Sequence, residues 1–259
     1  MAFDYDAKRV LAVESIQWTK KLTIEEQVAQ IDLFVLQSQW IKPAHFAIVY
    51  LSHSSEIFTL IPDPFFTIGS ETGVLGLVAP VDEEQMQVLS NHHIQRDFHL
   101  IYALPKPWES WSNRRFEGTN YQWLSEVSSF VEAGFGLSAH SGEKFMLALV
   151  DLNSVLFLGL DGDKLLFVNR FYYQSENDLL YFFLLAMETC HLDPVEGRVI
   201  LSGAILPGSV GFEKLARYIN RMEWVKSPLE IQIPEKLLAL AHHSWFDLLS
   251  LPLCINQLA

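Results

Sequence analysis

Residues 145–173 read FMLALVDLNSVLFLGLDGDKLLFVNRFYY. Three apolar runs, Phe145 to Val150, Val155 to Leu160 and Leu165 to Tyr173, are separated by Asp151-Leu152-Asn153-Ser154 and by Asp161-Gly162. Runs of this length bounded by turn residues predict strands. Asp-Gly between two of them predicts a tight hairpin, because a type I′ turn needs two residues tolerant of positive φ. The stretch therefore reads as a three-stranded antiparallel meander.

C-terminal to it, Ser175-Glu176-Asn177-Asp178 forms a capping-box variant ahead of Leu179, so a helix is expected from Leu179 to His191. Leu179, Leu180, Tyr181, Phe182, Phe183, Leu184 and Leu185 make it apolar on nearly every side, which predicts cover from more than one direction. Pro194 and Gly197 end that region, and Val199-Ile200-Leu201 reads as a short buried parallel strand running into Ser202-Gly203-Ala204. Phe212, Leu215, Ala216, Ile219 and Met222 recur at helical period. Glu230 to Ile233 reads as a further strand, and a last helix is expected from about Glu235 to Leu249. The order is β-β-β-α-β-α-β-α, with right-handed crossovers at the parallel steps.

N-terminal to it, the glycine- and serine-rich segment Gly134 to Gly142 marks a boundary between a first lobe, 1–136, and a second, 143–259. The first half carries a fainter version of the same order. Thr23-Ile24-Glu25-Glu26 is a capping box, Ile24, Val28, Ile31 and Val35 form a helical stripe, and Pro43 precedes a strand at Phe46 to Leu51. Val10 to Gln17, Glu56 to Ile61 and Phe98 to Leu104 read as further strands, whereas Pro105 to Tyr121 fits no pattern.

Composition narrows the function classes. The chain has 259 residues, half of them apolar, enough for one large core or two. Its 18 basic residues against 31 acidic give a formal charge of -13, and only Arg114-Arg115 concentrates positive charge. No nucleic-acid partner and no membrane insertion are expected. The longest apolar stretch, Leu179 to Met187, is about half a membrane span. The two cysteines, Cys190 and Cys254, lie in apolar settings and read as reduced thiols. With no export signal in Met1 to Asp6, a cytoplasmic protein is expected.

The element order resembles the actin-like ATPase, or ribonuclease H-like, fold shared by sugar kinases, actin and the large heat-shock chaperones. A closer resemblance lies in Thr59-Leu60-Ile61-Pro62, in Leu165 to Tyr173, and in Ser175, Asp178, Leu179, Tyr181 and Phe182. These are similar to the bacterial family called domain of unknown function 3822, over most of the chain as far as His243 to Leu249. The resemblance implies a two-lobed α/β fold, each lobe a mixed sheet of β-β-β-α-β-α-β type with the first lobe degenerate. It implies no activity.

Actin-like ATPases place a phosphate loop at the first hairpin of each lobe. The matching place in the second lobe is Asp151-Leu152-Asn153-Ser154, where Asn153 stands in place of the usual glycine. In the first lobe Val13-Glu14-Ser15-Ile16 has no glycine, and a single glycine, Gly203, remains where a pair would face adenosine. Asp151, Asn153 and Gly203 thus read as a vestigial nucleotide site. Phosphoryl transfer depends on positioning and charge stabilisation, so no turnover and no bound cofactor are expected from such loops. The alternative is an ATP- and magnesium-binding protein or small-molecule kinase, with Asp151 its one candidate carboxylate.

Other chemistry is weakly encoded. The chain has nine histidines, but the adjacent pairs His92-His93 and His242-His243 point apart on a helix or a strand, so no metal site is expected. Asp161-Gly162-Asp163 would need a bidentate Glu where Tyr172 stands, which rejects calcium. Ser138 and His140 do not make a nucleophile elbow. Asn169, Asp178 and Tyr181 read as polar groups satisfied within an apolar setting. Trp108, Trp111, Arg114 and Arg115 make the best candidate contact surface, because Trp and Arg dominate interface hot spots; the competing reading is a local aromatic core. The expectation is a non-catalytic scaffold that binds another protein or itself, in the manner of degenerate actin-like scaffolds of bacterial pilus and division machinery.

Overall fold

A computed structural model describes residues 1–18, 20–41, 46–226, 231–235 and 242–254. The chain divides into two compact units, Met1–Ser128 and Ser129–Cys254. Both are α/β; the second unit's sheet is mixed, and among the described residues the first unit combines antiparallel sheets with one parallel pair.

The second unit is built around the quoted stretch. Strands β8 (Phe145–Val150), β9 (Ser154–Asp161) and β10 (Lys164–Tyr172) form the meander, and β11 (Arg198–Gly203) and β12 (Arg221–Trp224) extend it in parallel. The strand order is β10-β9-β8-β11-β12. Lys164 pairs with Asp161, so the second hairpin turns on Gly162 and Asp163. Gly162 has φ +60 while Asp163 has no positive φ, which is the type II′ pattern and corrects the expected I′.

Every residue of β8 is buried, as β-structure covered on both faces requires. On one face, Met146, Ala148, Val155 and Phe157 pack with Leu179, Phe183, Ala186 and Met187 of α5 (Glu176–Thr189). Ser175 caps that helix and Asp178 reaches back to the Ser175 N–H, the full capping box. Full burial runs along one stripe, with Leu180, Phe182 and Leu184 half-buried against the same core, while Tyr181 is 60% exposed, so the expected cover is incomplete. Phe182 finds its partner sideways, stacked on Phe171 at 4.7 Å.

Two readings change after β11. The helical period from Phe212 to Met222 gives a short α6 (Val210–Leu215), and Met222 belongs instead to β12, pairing with Val199. The expected strand at Glu230 to Ile233 begins outside the described residues; what is described of it holds no strand, only a single bridge at Gln232. Much of the expected last helix also lies outside them. Past that gap, a 3-10 turn (His242–Trp245) leads into α7 (Phe246–Cys254).

In the first unit, β1 (Ala2–Asp4) and β2 (Arg9–Ala12) form an antiparallel pair, followed by α1 (Ile24–Gln37) under the predicted Thr23 and Glu26 capping box. β3 (Val49–His53) pairs in parallel with β7 (Tyr121–Ser125). β4 (Phe58–Pro62), β6 (Phe98–Pro105) and β5 (Met86–His93) form an antiparallel sheet in that order. Short α2 (Glu71–Leu75) packs Leu75 on Ile101 and Ala103. The segment without a pattern becomes α3 (Lys106–Arg115), entered through Pro107 in the first turn.

The glycine-rich segment read as a boundary is helical. It lies in α4 (Glu126–Ser141), which crosses from one unit to the other at Ser128/Ser129. Gly134 is there for closeness rather than flexibility: a Cβ would stand 2.2 Å from Leu158 Cδ2. Ser138 donates to the Gly162 carbonyl at 2.5 Å, and Gly142 at φ +63 ends the helix.

Candidate functional site

The three residues read as a vestigial nucleotide site do come together. Parallel pairing of β8 with β11 sets Gly203 beside Val150, the residue before Asp151, at the carboxyl ends of both strands. That end of a parallel α/β sheet is where ligands usually bind. Gly203 has φ +92, and a Cβ on it would meet the Val150 carbonyl oxygen at 2.3 Å, so only glycine fits.

The hairpin between β8 and β9 is fastened by the protein itself. The Asp151 N–H donates to the Ser154 carbonyl at 2.8 Å, and the Ala204 N–H donates to the Val150 carbonyl at 2.6 Å. The Tyr173 hydroxyl donates to the Asp151 carbonyl, and the Tyr173 N–H to the Asn153 carbonyl at 3.0 Å. Burial, then the charges of Asp151 and Glu176, pushes the Tyr173 pKa up, which keeps it a donor. From β10 the buried Arg170 sends Nη1 to 3.4 Å from Ser154 Oγ and 3.7 Å from Asp151 Oδ2.

This arrangement fits magnesium nucleotide poorly. A guanidinium beside the one carboxylate opposes a divalent cation there by like-charge repulsion, and Asn153 carries a side chain where a phosphate would need close backbone approach. In the first unit the first hairpin is Ala2 to Ala12, and its turn is Tyr5 to Lys8 rather than Val13 to Ile16. That turn also lacks glycine, and the Asp4 carboxylate closes on the Ala7 N–H at 3.0 Å.

Against this geometry, the family model described as Protein of unknown function (DUF3822) matches residues 1–222. The chain belongs to the DUF3822 family. Its fold is that of the actin-like ATPases. A Bacteroides thetaiotaomicron VPI-5482 protein with actin-like ATPase fold and unknown function is similar at TM-score 0.68 and 16% identity over 76% of each chain. A chain of the PilM-PilN type IV pilus biogenesis complex is similar at TM-score 0.57 and 11% identity, over 90% of this chain and 85% of that one. No curated protein matches the chain.

The aromatic residues proposed as a surface are core in this DUF3822 member. Trp111 is 3% exposed and packs edge-on to Trp108 and Phe116 at 5.8 and 5.5 Å, with Val35 and Leu104 in the same cluster. Its indole N–H donates to Asp32 at 2.9 Å, and Arg115 Nε lies 3.7 Å from the same oxygen. Trp108 and Trp111 are therefore corrected to local core, because α3 lays one face on α1 and β6; of the four, Arg114 alone is exposed.

Sequence reasoning missed a second cluster. The β5–β6 register sets His92 opposite His99, and Asp63, at the start of a 3-10 turn after β4, brings its carboxylate to both rings. His92 and His93 point apart, as strand geometry requires, and His93 instead meets Ser128 at 3.1 Å. Burial first, then the neighbouring His92, lowers the His99 pKa against the pull of Asp63 and Glu71. The signal was the spacing of two histidines either side of Asp97, legible only to a reader who takes polar MQVLSNHH as a strand.

Proposed function

We propose that the protein is a non-catalytic scaffold on the actin-like fold, binding another protein or a second copy of itself. The observation that carries this reading is the hairpin at Asp151 to Ser154. Its carboxylate faces Arg170, and two of its neighbouring backbone donors are spent on internal acceptors. Catalysis of phosphoryl transfer would need that carboxylate for a metal and an open loop for phosphate.

Two further features agree with a binding role. The PilM chain of similar fold belongs to a complex with PilN, which supports by analogy of fold alone. Phe65, Ile68, Leu77 and Val78 are 75, 90, 85 and 57% exposed within one short segment of the first unit, more apolar surface than a solvated segment needs. Turnover is the test. Phosphate release from magnesium ATP by the wild-type protein should equal that of Asp151→Ala. Release that is faster, and lost in the variant, would favour the reading as an ATP-dependent kinase or ATPase.

A further inference from the structure

We propose that Asp63, His92 and His99 form a binding site for a divalent transition-metal ion of the zinc class. The inference goes beyond the scaffold reading and lies wholly in the first unit. Three donors arrive from three elements: Asp63 from the turn after β4, His92 from β5 and His99 from β6. One ligand atom from each lies within 4.8 Å of the others.

The distances suit an ion between the groups better than they suit hydrogen bonds alone. His92 Nε2 is 2.9 Å from Asp63 Oδ2, a good hydrogen bond. His99 Nε2 is 3.7 Å from Asp63 Oδ1, too long for one, and that Oδ1 is buried with no hydrogen-bond partner. Ligand atoms at about 2.0–2.2 Å from a tetrahedral zinc stand about 3.3–3.6 Å apart, and the two separations from Asp63, 2.9 and 3.7 Å, lie either side of that range. An ion there would satisfy the orphaned oxygen.

Both rings are close at hand, and because stacked parallel planes cannot share one in-plane ion, binding requires one imidazole to turn about its Cβ–Cγ bond. His92 and His99 stack at 4.1 Å with 5° between planes, both presenting Nε2 to Asp63. Phe66 stacks on His99 from the other side at 3.6 Å. Two imidazoles and one carboxylate are borderline ligands that suit zinc, and three protein ligands leave a fourth position for water. Side-chain exposures of 29, 14 and 31% for His92, His99 and Asp63 give that position access to solvent. The protein's net charge of -13 also favours cation capture. His99 Nδ1 is buried without a partner, so stacking rather than a hydrogen bond orients this ring. A site without that outer support binds more weakly than one that has it.

The test titrates chelator-treated, full-length protein with zinc salt alone by calorimetry, and with cobalt(II) followed by its d–d absorption. One equivalent should bind, with the intense cobalt spectrum of a low-coordinate site. Asp63→Asn and His99→Gln should each weaken zinc binding by about tenfold or more, while His140→Gln, at an exposed helix end, should leave it unchanged. Failure of the wild type to take up one equivalent, or uptake that both site variants leave unchanged, overturns the proposal. Should a variant not fold, as melting would reveal, the wild-type cobalt spectrum decides, and a weak six-coordinate spectrum overturns it.

Discussion

At the scale of single residues, a few side chains and one missing side chain set the second unit's edge. Gly203→Ala would force a Cβ against the Val150 carbonyl in a left-handed conformation. The expected loss is about 3 kcal/mol, strain and overpacking together, measured by chemical denaturation. Trp111→Ala should cost about 3–5 kcal/mol by the same measurement, since it empties a core position and removes the indole hydrogen bond to Asp32. Burial lifts the Cys190 thiol from 9.0 to about 11. A folded-state pKa above the unfolded one contributes stability that is complete below pH 9 and lost as pH rises from 9 to 11. Thiol reagents should therefore fail to label native protein at neutral pH and label it fully once it is unfolded. Asp151 could be picked out from the sequence because it opens a turn between two apolar runs, and Gly203 because the resemblance to actin-like ATPases expects glycine there. Arg170 could not, because an arginine on a strand gives no sign of which carboxylate it will meet.

Elements differed in legibility according to how much of their stability is local. Capping boxes at Thr23 and Ser175 depend on residues three apart, and both were readable before any tertiary information. Ser175→Ala should lower stability by about 1 kcal/mol without moving the fold, measured by denaturation with circular dichroism. Backbone and Ser175 hydrogen bonds lower the Asp178 pKa, so the cap's contribution stands above the ordinary carboxylate range and fades as pH falls through it. Strand β5 was missed because its sequence is polar, and its place is fixed by pairing with β6 and by Asn91. That side chain accepts from the Ser125 N–H at 2.9 Å and the Ser128 hydroxyl at 3.1 Å and donates to the Trp123 carbonyl at 3.2 Å. Helix α4 was missed for the opposite reason: its glycines and serines serve packing and hydrogen bonding against the meander, a role that composition cannot separate from that of a linker. Met222 fell at helical spacing by coincidence and was claimed by parallel pairing with β11.

For the whole molecule, the second half was legible because its sheet grows from consecutive strands, and local turns dictate such order. The first half was not, because β3 pairs with β7 across some seventy intervening positions of sequence and its sheets come in separate pieces. The actin-like fold was therefore recognisable from one unit, while its use was not, since that fold hosts many functions. Among the described residues, no helix is long and apolar enough to cross a membrane. The proposed account is of an actin-like body whose nucleotide hairpin is occupied by its own Arg170 and Tyr173. Binding of nucleotide to the native state would raise the melting temperature by mass action. The direct measurement is thermal melting with and without millimolar magnesium ATP: the account predicts no shift, and a clear upward shift that Asp151→Ala abolishes would contradict it.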